Sequence, residues 1–139
     1  MGLTNDKAPI NSEFWAGKRV LVTGHTGFKG SWLTLWLDYL NADVCGMALP
    51  PPTDPSLFEI ANLSSAIRHE LADVRDYDAV EAIIRDVEPE IIFHMAAQPI
   101  VRESFTRPLE TVSINAMGTL HVLEAARRVA SVKTILNVT

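Results

Sequence analysis

The sequence predicts an α/β domain with a doubly wound parallel sheet. Two observations carry that reading: short β-branched apolar runs alternate strictly with segments of helical period, and a glycine-spaced turn stands between the first run and the first helix. Right-handed crossovers between such strands give a sheet covered by helices on both faces. About five strands can be placed.

The leader as far as Gly17 is polar, and the domain proper spans 18–139. "KRVLVTG" then reads as a buried strand, since it is a short β-branched run ending in glycine. In the helix "SWLTLWLDYLNAD", Trp32, Leu35, Trp36 and Tyr39 make one stripe, while Leu33, Leu37 and Leu40 make a second. Two apolar stripes predict burial on two sides. "DVCGMAL" is the next strand, followed by "PPPTDPS", where three prolines forbid regular structure and "SLFEIAN" has room for a short helix only. "IRHELADV" supplies the third strand, and Asp76 caps a helix with Val80, Ile83, Ile84 and Val87 on its apolar face, stopped by Pro89. "EIIFHMAA" is the fourth strand. A long helix from about Pro108 to Ala130 places Val112, Ala116, Leu120 and Leu123 along one side, and "VKTILNVT" is the fifth strand. No helix follows to cover that strand, so the sequence predicts an open apolar edge and a sheet truncated after about the fifth strand.

Composition narrows the function classes. Seventeen acidic against twelve basic residues give a net charge of -5, which argues against a general nucleic-acid binder. Cys45 is the only cysteine, so an intrachain disulfide and a four-thiolate zinc site are excluded and no metal is expected. A reducing cytoplasm is the expected location. The N-terminus has no apolar signal region, and no run reaches the roughly 18 apolar residues that span a bilayer.

Gly24, Gly27 and Gly30 form T-G-x-x-G-x-x-G between strand and helix. In a Rossmann-type unit the first glycine allows the tight turn, the second lets a pyrophosphate approach the backbone, and the third brings helix against sheet. The helix N-terminus adds free N–H groups and a partial positive charge. A mononucleotide P-loop would need Gly-Lys-Ser or Gly-Lys-Thr, whereas this chain has Lys29-Gly30-Ser31 with the spacing one short. The loop therefore predicts a dinucleotide, with Gly24, His25, Gly27, Phe28, Lys29 and Gly30 around it. Lys29, and with it His25, is expected beside the phosphates, offsetting charge repulsion in an acidic protein. Where an acid for NAD or an arginine for NADP would stand, the chain has "MALPPP", so residues alone do not separate the two; Asp54 lies a little beyond.

Four motifs taken together resemble the extended short-chain dehydrogenase/reductase family of sugar-nucleotide enzymes: TGxxGxxG, "LADVRD", "HMAAQ" and "NAMGT". Within it, "GHTGFKGSWL", "PPTDPSLFEIA" and "AAQPIVRESF" resemble the CDP-glucose 4,6-dehydratase branch, from about Phe14 onward. The resemblance implies NAD as cofactor, with Asp73 and Val74 near the adenine and Ala96, Ala97 and Gln98 bordering the nicotinamide. It implies Arg102 and Ser104 at the substrate, and Asn115 as a support of the active site through hydrogen bonds. His94, between Phe93 and Met95, reads as a hydrogen-bonded core histidine and not a base.

The implied reaction takes CDP-glucose to CDP-4-keto-6-deoxyglucose by an internal redox cycle, in which a hydride leaves C4, water is lost across C5 and C6, and the hydride returns to C6. The family performs it with a Tyr-x-x-x-Lys pair. Tyr39 and Tyr77 are the only tyrosines here, and neither has lysine four residues on. No catalytic residue is therefore assigned, and the chain alone is expected to be inactive. The family's pairing through its long helices implies a homo-oligomer built on 108–130. The alternatives are an epimerase or reductase of the same family and a non-catalytic NAD(P)-sensing module.

Overall fold

The computed structural model describes residues 10–138; positions 1–9 of the expected leader and Thr139 lie outside the described residues. Within the leader, Asn11 caps a short helix α1 (Ser12–Trp15), accepting a hydrogen bond from the Phe14 N–H. Trp15 from this helix packs on the sheet near Phe93.

The chain continues as β1 (Arg19–Thr23), α2 (Phe28–Tyr39), β2 (Asp43–Ala48), α3 (Leu57–Ile60), α4 (Leu63–Ala66), β3 (Arg68–Leu71), α5 (Tyr77–Val87) and β4 (Ile91–His94). Then come α6 (Val101–Thr106), α7 (Pro108–Val112), a π-helical turn (Ser113–Met117), α8 (Gly118–Arg127) and β5 (Thr134–Asn137). The five strands are all parallel in the order β3-β2-β1-β4-β5. Because the order reverses between β1 and β4, the crevice beyond their carboxyl ends is the topological switch point.

Alternation along the strands divides the core. Val20, Val22 and Val44 face one side with Leu37 of α2; Leu21, Cys45, Met47 and Ile92 face the other with Val80 and Ile84 of α5 and Val122, Ala125 and Ala126 of α8. Truncating a wholly buried Leu21 or Ile92 to alanine is an event of about 2–5 kcal/mol. Burial raises the Cys45 thiol to about 11, so it stays protonated and unreactive at neutral pH.

Two expected faces are corrected. Leu37 and Leu40 of the α2 region are buried, but Trp32, Trp36 and Tyr39 are exposed, so the helix is covered on one side only. Val112, Leu120 and Leu123 also face outward; the buried face of the last helix is Gly118, Val122, Ala125 and Ala126. Small residues win there because the helix comes close: a Cβ on Gly118 would lie 2.7 Å from a methyl of Val74. The long helix expected from Pro108 runs without interruption to Arg127, as α7, the π-helical turn and α8, with right-handed helical backbone at both junctions. Outside β4, β5 leaves Leu136 exposed, as does Val138 just beyond it. Among the described residues no helix is long and apolar enough to cross a membrane.

Candidate active site at the switch point

The loop after β1 is shaped by two glycines that the protein itself requires. Gly24 has φ of +74°, the left-handed region that favours glycine, and a Cβ there would sit 2.8 Å from the Ala96 nitrogen. A Cβ on Gly30 would collide with the carbonyl of Gly24, and its next neighbour, the Gly24 carbonyl carbon, would be only 2.8 Å away. Gly30 therefore lets α2 start directly over the turn. Backbone bonds complete the loop: Gly24 N–H donates to the Met47 carbonyl at 2.9 Å, Gly27 N–H to Gly24 at 3.1 Å, and Ser31 N–H to Gly27 at 2.8 Å.

Gly27 differs. Its backbone is ordinary (φ -74°), and a Cβ would meet one atom only, the Gly24 oxygen at 3.4 Å. No internal packing demands glycine at this position. As the N-cap of α2 it provides no side-chain cap, and the N–H groups of Phe28, Lys29 and Gly30 have no partner among the described residues. A smooth backbone surface beside unpaired donors at the positive end of a helix is a surface fitted to a phosphate or pyrophosphate. Lys29 and Phe28 are exposed at its rim.

His25 departs from its expected place. Its ring is fully buried, edge-on to Phe58, with Nε2 at 2.7 Å from Nδ1 of His69. Gly46 lies against it, and any Cβ there would run into the imidazole. Burial, followed by repulsion from His69, lowers its pKa to about 4. At neutral pH the ring carries no charge and cannot offset phosphate repulsion as expected. Its peptide carbonyl instead accepts from the buried Ser31 hydroxyl at 2.9 Å, tying the loop to α2, while the Thr26 hydroxyl reaches the Leu49 carbonyl at 2.8 Å.

Across the switch point the segment after β4 is held by side chains. Thr23 Oγ1 accepts the N–H groups of Met95 and Ala96, both at 3.1 Å. Asn115, on the π-helical turn, grips Gln98 from both ends of its amide: Oδ1 accepts the Gln98 N–H at 2.8 Å and Nδ2 donates to the Gln98 carbonyl at 3.1 Å. The Gln98 side chain then bonds to Thr111 and to Ile100. Ala97 is exposed between these anchors. His94 is buried at the base of this arrangement, bonded at both nitrogens.

Asp73 and Val74 lie between β3 and α5, at the carboxyl end of the sheet. The Asp73 carboxylate is bound by the Arg75 guanidinium, at 2.9 and 3.0 Å from Nε, and by the Arg75 N–H at 2.9 Å. Those bonds hold its pKa below the ordinary carboxylate range. The Asp73 carbonyl also closes a turn onto the Asp76 N–H, so the residue shapes the entry to α5 as well. Val74 is buried, and its carbonyl accepts from His121 at 2.8 Å. Arg102 and Ser104 stand on helix α6 instead of a loop; Arg102 is exposed and the Ser104 hydroxyl bonds back to Val101 at 2.6 Å. Asp54 is exposed in the proline-rich connection. Among the described residues no group of three or more His, Cys, Asp or Glu is arranged to hold a metal.

The structure thus gathers the glycine loop, 95–98 with Asn115, and 73–74 along one edge of the sheet. Thr23 and Thr119 are hydrogen-bonding positions of this cluster that sequence reasoning missed. A threonine closing an apolar strand just before the glycine turn was the available signal for the first; the second lay inside "NAMGT" unremarked.

Residues 21–138 match the family model described as GDP-mannose 4,6 dehydratase. The chain belongs to that family. Among relatives of this family, a CDP-glucose 4,6-dehydratase from Salmonella typhimurium is 52% identical over 130 residues, covering 94% of this chain and 36% of the relative. A UDP-glucose 4-epimerase from Mycolicibacterium smegmatis is 36% identical, covering 86% of this chain and 37% of that protein. The Thermus thermophilus UDP-glucose 4-epimerase, solved in complex with NAD, superposes with a TM-score of 0.74 at 30% identity, over 84% of this chain and 36% of that one. The chain therefore spans a little over a third of the length of the relatives it matches. Its five-stranded α/β sheet is that of the dehydratase and epimerase neighbours, and the family is one of NAD-dependent sugar-nucleotide enzymes.

Proposed function

We infer that this chain is the dinucleotide-binding portion of an NAD-dependent lyase that dehydrates CDP-glucose to CDP-4-keto-6-deoxyglucose. One observation carries the cofactor part: Gly27 is glycine where no atom of the described residues requires it, beside three N–H groups with no partner among those residues. The 52% identity to a CDP-glucose 4,6-dehydratase supports the substrate.

In this reading Gly27 and the start of α2 receive the pyrophosphate, Lys29 lies at its margin, and Asp73 and Val74 border the adenine. Ala96, Ala97 and Gln98 form the wall on the nicotinamide side, kept in place by Asn115. Bound there, NAD supplies a reversible hydride acceptor for the sugar carbon. Arg102 and Ser104, at the start of α6, would face the substrate. With neither tyrosine followed four residues on by lysine, the 139-residue polypeptide holds the cofactor without turning over. The exposed row Leu109, Val112, Leu120 and Leu123 supports association of two copies through 108–130.

The test is a calorimetric titration of the purified chain with NAD, paired with an assay for the 4-keto product from CDP-glucose. Saturable one-to-one NAD binding without product is expected; dehydration by this polypeptide alone would overturn the assignment of chemistry to other residues. The epimerase likeness supports a second reading, in which the sugar is inverted at C4 without loss of water. Formation of a 4-keto-6-deoxy product once the chain is combined with the catalytic part of such an enzyme would exclude it.

A further inference from the structure

A chain of hydrogen bonds runs through His94, and its proton positions follow from counting. The count starts at Thr119: the Asn115 carbonyl can only accept, so the single hydroxyl proton of Thr119 goes to it at 2.7 Å. Thr119 Oγ1 must then accept from its other neighbour, His94 Nε2, at 3.0 Å. The proton of the neutral ring therefore sits on Nε2, and Nδ1 accepts the Thr23 hydroxyl proton at 2.7 Å. Thr23 Oγ1 in turn accepts the Ala96 N–H and shares that of Met95 with its own backbone carbonyl. Every donor in the series has one acceptor and the direction is unique: β1, β4, then the π-helical turn.

The far end of this series matters because of what the π-helical turn carries. Its Asn115 reaches out to the Gln98 backbone with both ends of its amide. A π-turn is a strained local choice that persists where surrounding bonds favour it, and such turns concentrate at functional sites.

We propose that His94 is a positioning residue: fixed as the Nε2–H tautomer by the Thr119 hydroxyl, whose own proton is committed to the Asn115 carbonyl, it holds Thr119 and the π-helical turn in register, so that Asn115 fixes Gln98 at the nicotinamide side of the cofactor site. The proposal rests on the dinucleotide reading above for its functional consequence, and on the hydrogen bonds alone for its geometry. Protonating the ring would put a second proton on Nδ1, where the Thr23 hydroxyl now donates its own. Burial independently lowers the pKa of this histidine, in agreement with a neutral ring.

The test compares Thr119→Val, which removes the hydroxyl at nearly constant shape, with Thr119→Ser, which keeps it. Amide hydrogen exchange is followed at Gln98 and across Val20–Val22, together with NAD affinity. In the valine variant exchange at Gln98 is expected to accelerate about tenfold with Val20–Val22 unchanged, and NAD binding to weaken about fivefold to tenfold, with serine restoring both. Unchanged exchange at Gln98 in the valine variant overturns the proposal. So does acceleration shared equally by Gln98 and β1 in both variants, which marks general destabilisation. Nitrogen-15 spectra of His94 in the unaltered protein give a second arm that needs no variant: the Nε2–H tautomer supports the proposal, and the Nδ1–H tautomer or an imidazolium at neutral pH overturns it. If the unaltered protein fails to bind NAD, the cofactor reading falls, while the exchange and nitrogen arms still decide the role of His94.

Discussion

The two sides of the switch point are built in different ways. After β1 the chain is set first by steric exclusion: Gly24 and Gly30 leave no space for a side chain, and backbone-to-backbone bonds are joined by only two from side chains, Ser31 to His25 and Thr26 to Leu49. After β4 it is set by side chains, with Thr23 holding 95–96 and Asn115 holding Gln98. The turn after β1 is thus fixed by its backbone packing, whereas the segment after β4 depends on polar groups that single substitutions can remove. An enzyme that must grip a cofactor and also do chemistry on it gains from this division, since orientation near the reacting atoms can be tuned without disturbing the grip.

Substitutions at the two sides should therefore fail differently. The largest effect is expected at Gly30→Ala, where a methyl meets the Gly24 backbone and neither can move; a loss of ~3 kcal/mol or more should show in the urea midpoint. Next is Thr23→Val, which strands the Ala96 N–H and Nδ1 of His94, while the Met95 N–H keeps the Thr23 backbone carbonyl. It should cost ~2–3 kcal/mol and leave the glycine turn intact by hydrogen exchange.

Acid should loosen the first side through His25. Its folded pKa of about 4 lies below the ordinary value of 6.5, so between those values the unfolded chain binds more protons than the folded one. Stability then rises with pH across that window and is lost as pH falls through it, by ~2 kcal/mol from pH 7 to pH 5. Urea midpoints at the two pH values would show it, and His25→Leu should flatten the difference. The smallest effect on the fold belongs to Gly27→Ala, within ~0.5 kcal/mol of the unaltered protein, since only one atom lies at 3.4 Å.

Much of this was legible in the sequence. "RVLVT" followed by three glycines at fixed spacing defines strand, turn and helix, because those glycines leave few alternatives, and Asp76 caps α5 as its type and place predict. The faces of the helices were not legible, for a physical reason. Periodicity weighs large side chains, yet the last helix packs through Gly118, Ala125 and Ala126, where small residues permit close approach, and leaves Leu120 and Leu123 outside. The π-helical turn adds a residue to one turn, which a uniform helical period cannot represent. His25 was misplaced because a loop histidine can point either way. Its pocket is made by Gly46, Phe58 and His69, far away in sequence.

The most direct measurement is NAD binding to the unaltered chain and to Gly27→Ala, by calorimetry, with urea melts alongside. Saturable binding by the first, a loss of at least about tenfold in the second, and coincident melts are predicted, because Gly27 serves the ligand and not the fold. Equal affinity in the two proteins, or no binding by either, would contradict the account.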